Sequence, residues 1–454
     1  MDGKLLVLVV LIALLLSSSP AESKDCSRSS RIQKKTYKSP AFALGPGEVQ
    51  DRHYELEFPK GHIGVKNFQG EVVDELGNPV PLSDVYLHHW VVFSLYVKSS
   101  ERKELVRGGF HHGQDRLGSP SAIIAGNDGI CQHNVLSQFW GLGSETRHTS
   151  YFVPGSYAIG VGNPPEGYEE LWVLNVHAID TRGTYDPQGC LECRCSLYNV
   201  TTDASGQPLK QGYKGGLHCC YEGTKCAVKP GFQAPKKTLY MQYTIEWVEW
   251  DECVLPVRAY IFDITDSRKR DPIDRHVGCK VEYDVPACDP SSNPDCIYQL
   301  ENHLVIPKGG SIIYGVAHQH GGAMGMTMHG EDGRHLCSSI PLYGNGSTPG
   351  NEAGYVVGMS TCFPEPGTVT VASGEKLHLS SSYSSAQEHT GVMALFYLIV
   401  SDDDTVSLRQ FKDVKNRVNV MAVTLAIVGG VALVVGFSIW KKKREPHGGY
   451  SALL

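Results

Sequence analysis

The sequence predicts an all-β protein, with two antiparallel jelly-roll or β-sandwich domains followed by a single C-terminal transmembrane helix. Three observations lead there. Short runs rich in Val, Ile, Tyr and Trp alternate with Gly, Pro, Asn and Asp turns, the pattern of antiparallel strands. Helical periodicity is scarce over the same stretch. One uncharged apolar run, residues 418–440, is long enough to cross hydrocarbon once.

The two ends of the chain set its compartment. Residues 1–23 read as a signal peptide, with a lysine, an apolar run too short to span a bilayer, and small residues around Ala21 and Ser23. KKKR follows the C-terminal run directly, so the positive-inside rule places residues 441–454 in the cytosol. This topology predicts a single-pass type I membrane protein of the secretory pathway, with its bulk extracellular or lumenal and the plasma membrane as its expected site. The net charge of −7 includes the basic tail, so the translocated part is more acidic still. No basic patch suggests nucleic acid.

All 14 cysteines lie in the translocated part, where an even number predicts disulfides rather than zinc. The cluster Cys190, Cys193, Cys195, Cys219, Cys220 and Cys226 superficially resembles a zinc site, but its compartment favours disulfides, with the pairing open. It marks an insert at 189–230 between a first β-domain at 45–188 and a second at 235–402. Strands are expected at 64–73, 85–97, 171–179, 238–250, 257–264, 311–328, 367–371 and 391–400. An acidic SDDDT opens a stalk at 403–417. Asn199 and Asn345 head glycosylation sequons.

The chemistry concentrates in histidines. Alternate strand residues share a face, so His318 and His320 of AHQH can form a two-nitrogen clamp for copper, zinc or iron. They equally fit two surface histidines flanking a glutamine. Met324, Met326 and Met328 are expected on one face, packing the core. His88 and His89 sit inside the apolar run DVYLHHWVVFSLYV, where each imidazole needs a polar partner or a metal. Adjacent strand residues need a bulge to share one ion. His177, in LWVLNVHAID, is a third candidate. The glycine-flanked pair His111-His112 is expected to be solvated.

HHW on one strand, NVH on a later one, HQH, and a methionine in GVMALFYLIV together resemble the copper type II, ascorbate-dependent monooxygenases. Those include the peptidylglycine alpha-hydroxylating and dopamine beta-monooxygenases. The resemblance implies two copper ions on two jelly-roll domains, with ascorbate as reductant and hydroxylation of a C–H bond. By it, His88, His89 and His177 would hold an electron-transfer copper, and His318, His320 and Met393 the oxygen-binding copper. Tyr397 would contact substrate. Cys131 ahead of VLSQFWGLG, and TVASGEKLHLSSSYSS, keep the same register. Val316 and Leu395 replace the arginine and asparagine that peptide-amidating relatives carry, so a neutral or apolar substrate, small or from the cell wall, is expected. Over nearly the whole translocated part, YLHHWVVFSLY, WDECVLPVRAYIFDITD and GVAHQHGGAMGM are similar to the plant stress up-regulated nodulin proteins.

Three functions follow as expectations. The first is a membrane-anchored copper monooxygenase. The second is a non-catalytic copper-binding or stress-response surface protein on the same fold. The third is a lectin-like or adhesive β-sandwich whose histidines are incidental.

Overall fold

The computed structural model describes residues 31–103, 122–127, 131, 136–267, 278–402 and 440. The expected signal peptide, the membrane span apart from Trp440, the tail and His111-His112 lie outside these residues. Among the described residues, no helix is long and apolar enough to cross a membrane. The described residues up to Ser401 form one compact unit.

This unit is built of strands, as the alternation predicts. Up to the cysteine-rich insert they are β1 (Gln33–Lys38), β2 (Phe42–Leu44), β3 (Val49–Glu55), β4 (Ile63–Asp74), β5 (Val85–Lys98), β6 (Ala122–Ala125), β7 (Trp140–Leu142), β8 (Tyr157–Val161) and β9 (Tyr168–Asp180). After it come β10 (Lys237–Glu249), β11 (Leu255–Asp263), β12 (Glu282–Val285), β13 (Ile297–Val305), β14 (Gly310–Gln319), β15 (Ala323–His329) and β16 (His335–Ser339). The last are β17 (Pro341–Tyr343), β18 (Val356–Met359), β19 (Thr361–Cys362), β20 (Thr370–Val371), β21 (Lys376–Ser384) and β22 (His389–Ser401).

Two pairs of open sheets result. In the first, β1-β10-β4-β8 lies over β3-β9-β5-β6, with β2 added to β10 and β7 to β5. Aromatic side chains lock the layers: Phe68 of β4 meets Trp90 of β5 at 5.2 Å and Trp140 of β7 at 5.4 Å between ring centroids. In the second, β11-β22-β14-β19 lies over β13-β21-β15-β16, where Val285, Ala323, Tyr383 and Val392 pack together. One narrow parallel contact, Leu255 opposite Tyr157 and Pro256 opposite Ala158, joins β11 to β8 and makes one continuous sheet of the two halves.

The insert was expected to separate two domains, the second opening at residue 235. Instead β10, which follows the insert, pairs with β4 from Leu239 to Glu249 and with β1 from Gln242 to Trp247. Its alternating Leu239, Met241, Tyr243 and Ile245 are buried against the first half. The change of neighbourhood falls between β10 and β11.

The 311–328 run is likewise two strands in different sheets. It breaks at His320–Ala323, where the Ala323 N–H donates to the His320 carbonyl (3.2 Å). A register shift between Ala323 and Gly325, at which Gly325 adopts φ +136°, then turns Met324 outward. Met326 and Met328 pack the core as expected, whereas Met324 is 43% exposed.

Lys66 of β4 is buried, and its ammonium donates to the carbonyls of Pro154, Gly155 and Tyr157, stapling that loop. Burial pushes its pKa down from 10.5 to about 8. The unfolded chain therefore holds this proton between about pH 8 and 10.5 while the folded chain has released it, so stability rises with pH across that window. Substituting Lys66→Met is expected to flatten the rise, read as melting temperature against pH.

Candidate metal centre

Five of the six predicted ligands converge as imidazoles. On β5, the pairing with β9 shifts between Leu87 and His89, which leaves His88 as the extra residue of a bulge. That bulge is what adjacent histidines need to share a site. His89 lies directly opposite His177 of β9. The ligand nitrogens of His88, His89 and His177 all fall within 4.8 Å of one another. His318 and His320, at the end of β14, have ring centroids 5.2 Å apart, and His320 meets His88 edge-on at 5.0 Å. The two predicted ligand sets are therefore neighbours in one cluster. None of the five side chains is a surface histidine: exposures run from 0% at His177 to 9% at His89.

Three of the rings are held from outside. His89 Nε2 donates to Asn175 Oδ1 (2.8 Å), whose amide nitrogen donates in turn to Asp51 Oδ1 (2.9 Å). His177 Nε2 donates to the Cys220 carbonyl (2.8 Å). His318 Nδ1 lies 2.5 Å from Oε1 of the fully buried Glu145, whose other oxygen accepts from the Gly143 N–H (2.9 Å). A neutral imidazole that donates through one nitrogen presents the other as an acceptor, so these contacts fix three tautomers. Glycine is required at 143, because a Cβ there would lie 2.4 Å from the His88 carbonyl.

His88 Nδ1 and His320 Nε2 are buried with no hydrogen-bond partner among the described residues. Burial, reinforced by the neighbouring imidazoles, holds both side chains well below the usual histidine pKa, in the neutral form that binds metals. A buried acceptor left unpaired costs roughly 1–3 kcal/mol, and a metal ion removes that cost for both. The residues present fit a metal.

Met393 joins the same side of its sheet. His318 is paired with Leu395, two residues along β22 from Met393, so the thioether carbon chain shares the face of His318 and His320. Tyr383 ties the two strands together: its hydroxyl accepts from the His320 N–H (2.8 Å) and donates to the Met393 carbonyl (2.6 Å). Tyr397 faces an internal apolar cavity lined by Phe68, Trp90, Trp140 and Tyr151, and its hydroxyl accepts from Gln138 (3.3 Å).

The cysteine-rich insert forms the other wall. Its cysteines pair as Cys190–Cys226, Cys193–Cys220 and Cys195–Cys219, so the cluster is disulfide-bonded as expected. The Cys193–Cys220 sulfurs lie beside His88. Glu192 of the insert accepts from Nδ1 of buried His389 (2.7 Å) at the start of β22. The described residues hold three further disulfides, Cys131–Cys279, Cys288–Cys296 and Cys337–Cys362, and Cys253 is also disulfide-bonded. Asn199 and Asn345 are both exposed, as glycan acceptors must be.

The sequence reading missed Glu145, Asn175, Glu192, Tyr383 and His389. Asn175 had a signal, since it lies two residues before His177 on the same strand face. Glu145 sits in a short 3-10 helix, Ser144–His148, and nothing local marks it as a partner of His318.

A histidine kept only for packing would lose stability on replacement, whereas one kept for a metal burdens the metal-depleted fold. His88→Leu is expected to raise the melting temperature of the chelator-treated protein, by the equivalent of about 1–3 kcal/mol. A lower melting temperature would assign His88 to the structural core.

Comparison with solved structures returns remote likenesses. The infectious bursal disease virus Gt strain structure is 10% identical, covering 82% of this chain and 70% of that one, with a TM-score of 0.16. The VP2 subviral particle of the same virus is also 10% identical, covering 82% and 72%, with a TM-score of 0.18. Scores this low carry no argument about fold or function. No curated protein matches the chain. The model of one family, described as stress up-regulated Nod 19, matches residues 30–403, nearly all of the described unit, and the chain belongs to that family.

Proposed function

We propose that this stress up-regulated Nod 19 family member is an extracytoplasmic copper-binding protein whose metal is held by the buried imidazole cluster. The observation that carries this reading is the pair of unpartnered nitrogens, His88 Nδ1 and His320 Nε2, buried among three imidazoles whose outer nitrogens are already engaged. Five imidazole donors, with a thioether on the same face, suit copper best among the common divalent metals and tolerate its monovalent state. The disulfides, the signal-like leader and the apolar run at 418–440 support an anchored protein facing an oxidising compartment, with the plasma membrane as its site. The paired open sheets are consistent with two jelly-roll modules.

Bound copper would supply one-electron redox chemistry. Met393, sharing a face with His318 and His320, favours extending the reading to ascorbate-dependent hydroxylation of an unidentified small or cell-wall substrate. In that role the chain's own residues do the positioning: Asn175, the Cys220 carbonyl and Glu145 orient the rings, and the insert excludes water. Val316 and Leu395 leave an apolar surround, suited to an uncharged substrate.

The deciding measurement is elemental analysis of the purified full-length chain after copper reconstitution. Copper is expected in the wild type, with less in both His88→Ala and His318→Ala, and ascorbate-dependent oxygen uptake would then test turnover. An absence of bound copper in the wild type would overturn the proposal. Asn175→Leu removes an orienting contact but no ligand, and is expected to weaken copper affinity about 10–100-fold in chelator competition.

A further inference from the structure

A second set of histidines lies on the sheet β13-β21-β15-β16. His303 of β13 is paired directly with His378 of β21, His378 with His329 of β15, and His329 with His335 of β16. Directly opposed residues of antiparallel strands point to the same side, so four imidazoles form a ladder across four strands. The other side of this sheet is the core face, carrying Leu304, Leu377, Leu379, Met328 and Leu336. The ladder therefore occupies the outer face, where His303 and His335 are exposed and His329 and His378 half-buried.

The spacing is that of potential chelation. The His303 and His378 rings stack with centroids 4.7 Å apart and planes 26° from parallel, His329 is 6.3 Å from His378, and His335 is 5.6 Å from His329. His378 Nε2 is 3.5 Å from a Glu301 oxygen, and the adjoining cleft is lined by His303, His378, Gly330, Glu331 and Lys376. These side chains are not interlocked by core packing, so rotation about χ1 and χ2 can turn two ring nitrogens toward one ion. A solvated strand face gains nothing from four aligned imidazoles that repel one another once protonated.

We propose that this ladder is a surface site for an exchangeable divalent transition-metal ion, with copper(II) preferred. His303 and His378 are the first two donors, His329 is the third, and Glu301 supplies nearby negative charge. Imidazole pairs bind first-row divalent metals in the order that peaks at copper(II). Partial exposure makes the site quick to load and to empty, unlike the buried cluster. The inference does not depend on the buried cluster holding copper.

The test uses the purified, untagged full-length chain, with copper(II) in equilibrium dialysis and retention on immobilised nickel(II). The double variant His303→Gln/His378→Gln is expected to bind one copper(II) ion fewer than the wild type and to elute earlier from nickel. His88→Ala, away from this face, is expected to keep the wild-type retention on nickel. Metal-free melting should be unchanged in the double variant; if it is not, the single His303→Gln, at an exposed position, is expected to weaken the exchangeable copper roughly tenfold. Wild-type copper content and nickel retention in these ladder variants would overturn the proposal.

Discussion

A buried imidazole has two nitrogens and needs a partner for each, and the centre of this molecule is arranged around that requirement. Five such rings meet where β5, β9 and the end of β14 come together. Three of them turn one nitrogen outward to a fixed acceptor. Those acceptors come from three different places: the neighbouring strand β9 in Asn175, the insert in the Cys220 carbonyl, and a 3-10 helix in Glu145. The bulge at His88, the glycine at 143 and the disulfide beside His88 all follow from packing around rings that cannot be left unsatisfied. Disturbing one wall therefore disturbs the geometry of rings that it does not touch.

β10 was legible from its period of two, with one face buried, whereas β5, β9 and β22, buried on both faces over most of their length, were legible as apolar runs rich in β-branched and aromatic residues. The buried histidine cluster was legible too: a histidine pair inside an apolar strand stands out against its surroundings. Features that depend on long-range pairing were not legible. The run from Ser311 to Met328 reads as continuous, yet its halves belong to different sheets, and a register shift at Gly325 sends Met324 outward. The role of Glu145 depends on a contact 173 residues away in sequence. The joining of two expected ligand sets into one cluster rests on how the sheets meet, which no local pattern encodes.

The insert also changes meaning once its place is known. As sequence it is a cysteine-dense interruption; in the fold its three crosslinks hold a compact plug against the histidines. Glu192, supported by Arg194 (2.8 Å) and Gln188 (2.9 Å), reaches His389 at the root of the strand that carries Met393. Crosslinking lowers the entropy of the unfolded plug, which lets a segment with little regular structure serve as a rigid wall.

The path of β10 bears on how the protein is made. β4 stays without its neighbour until the chain has been synthesised past the insert to residue 249, and β1 waits for the same strand. In the oxidising compartment proposed for this protein, the N-terminal half would emerge with an open edge and apolar side chains uncovered, while the six cysteines from Cys190 to Cys226 follow within a few dozen residues. Premature crosslinking at that stage would trap the half-built sheet, so accurate maturation depends on the plug closing in step with the arrival of β10. Holdase and thiol-isomerase assistance are the expected demands of such an order of assembly, set by topology rather than by the chemistry of the finished site.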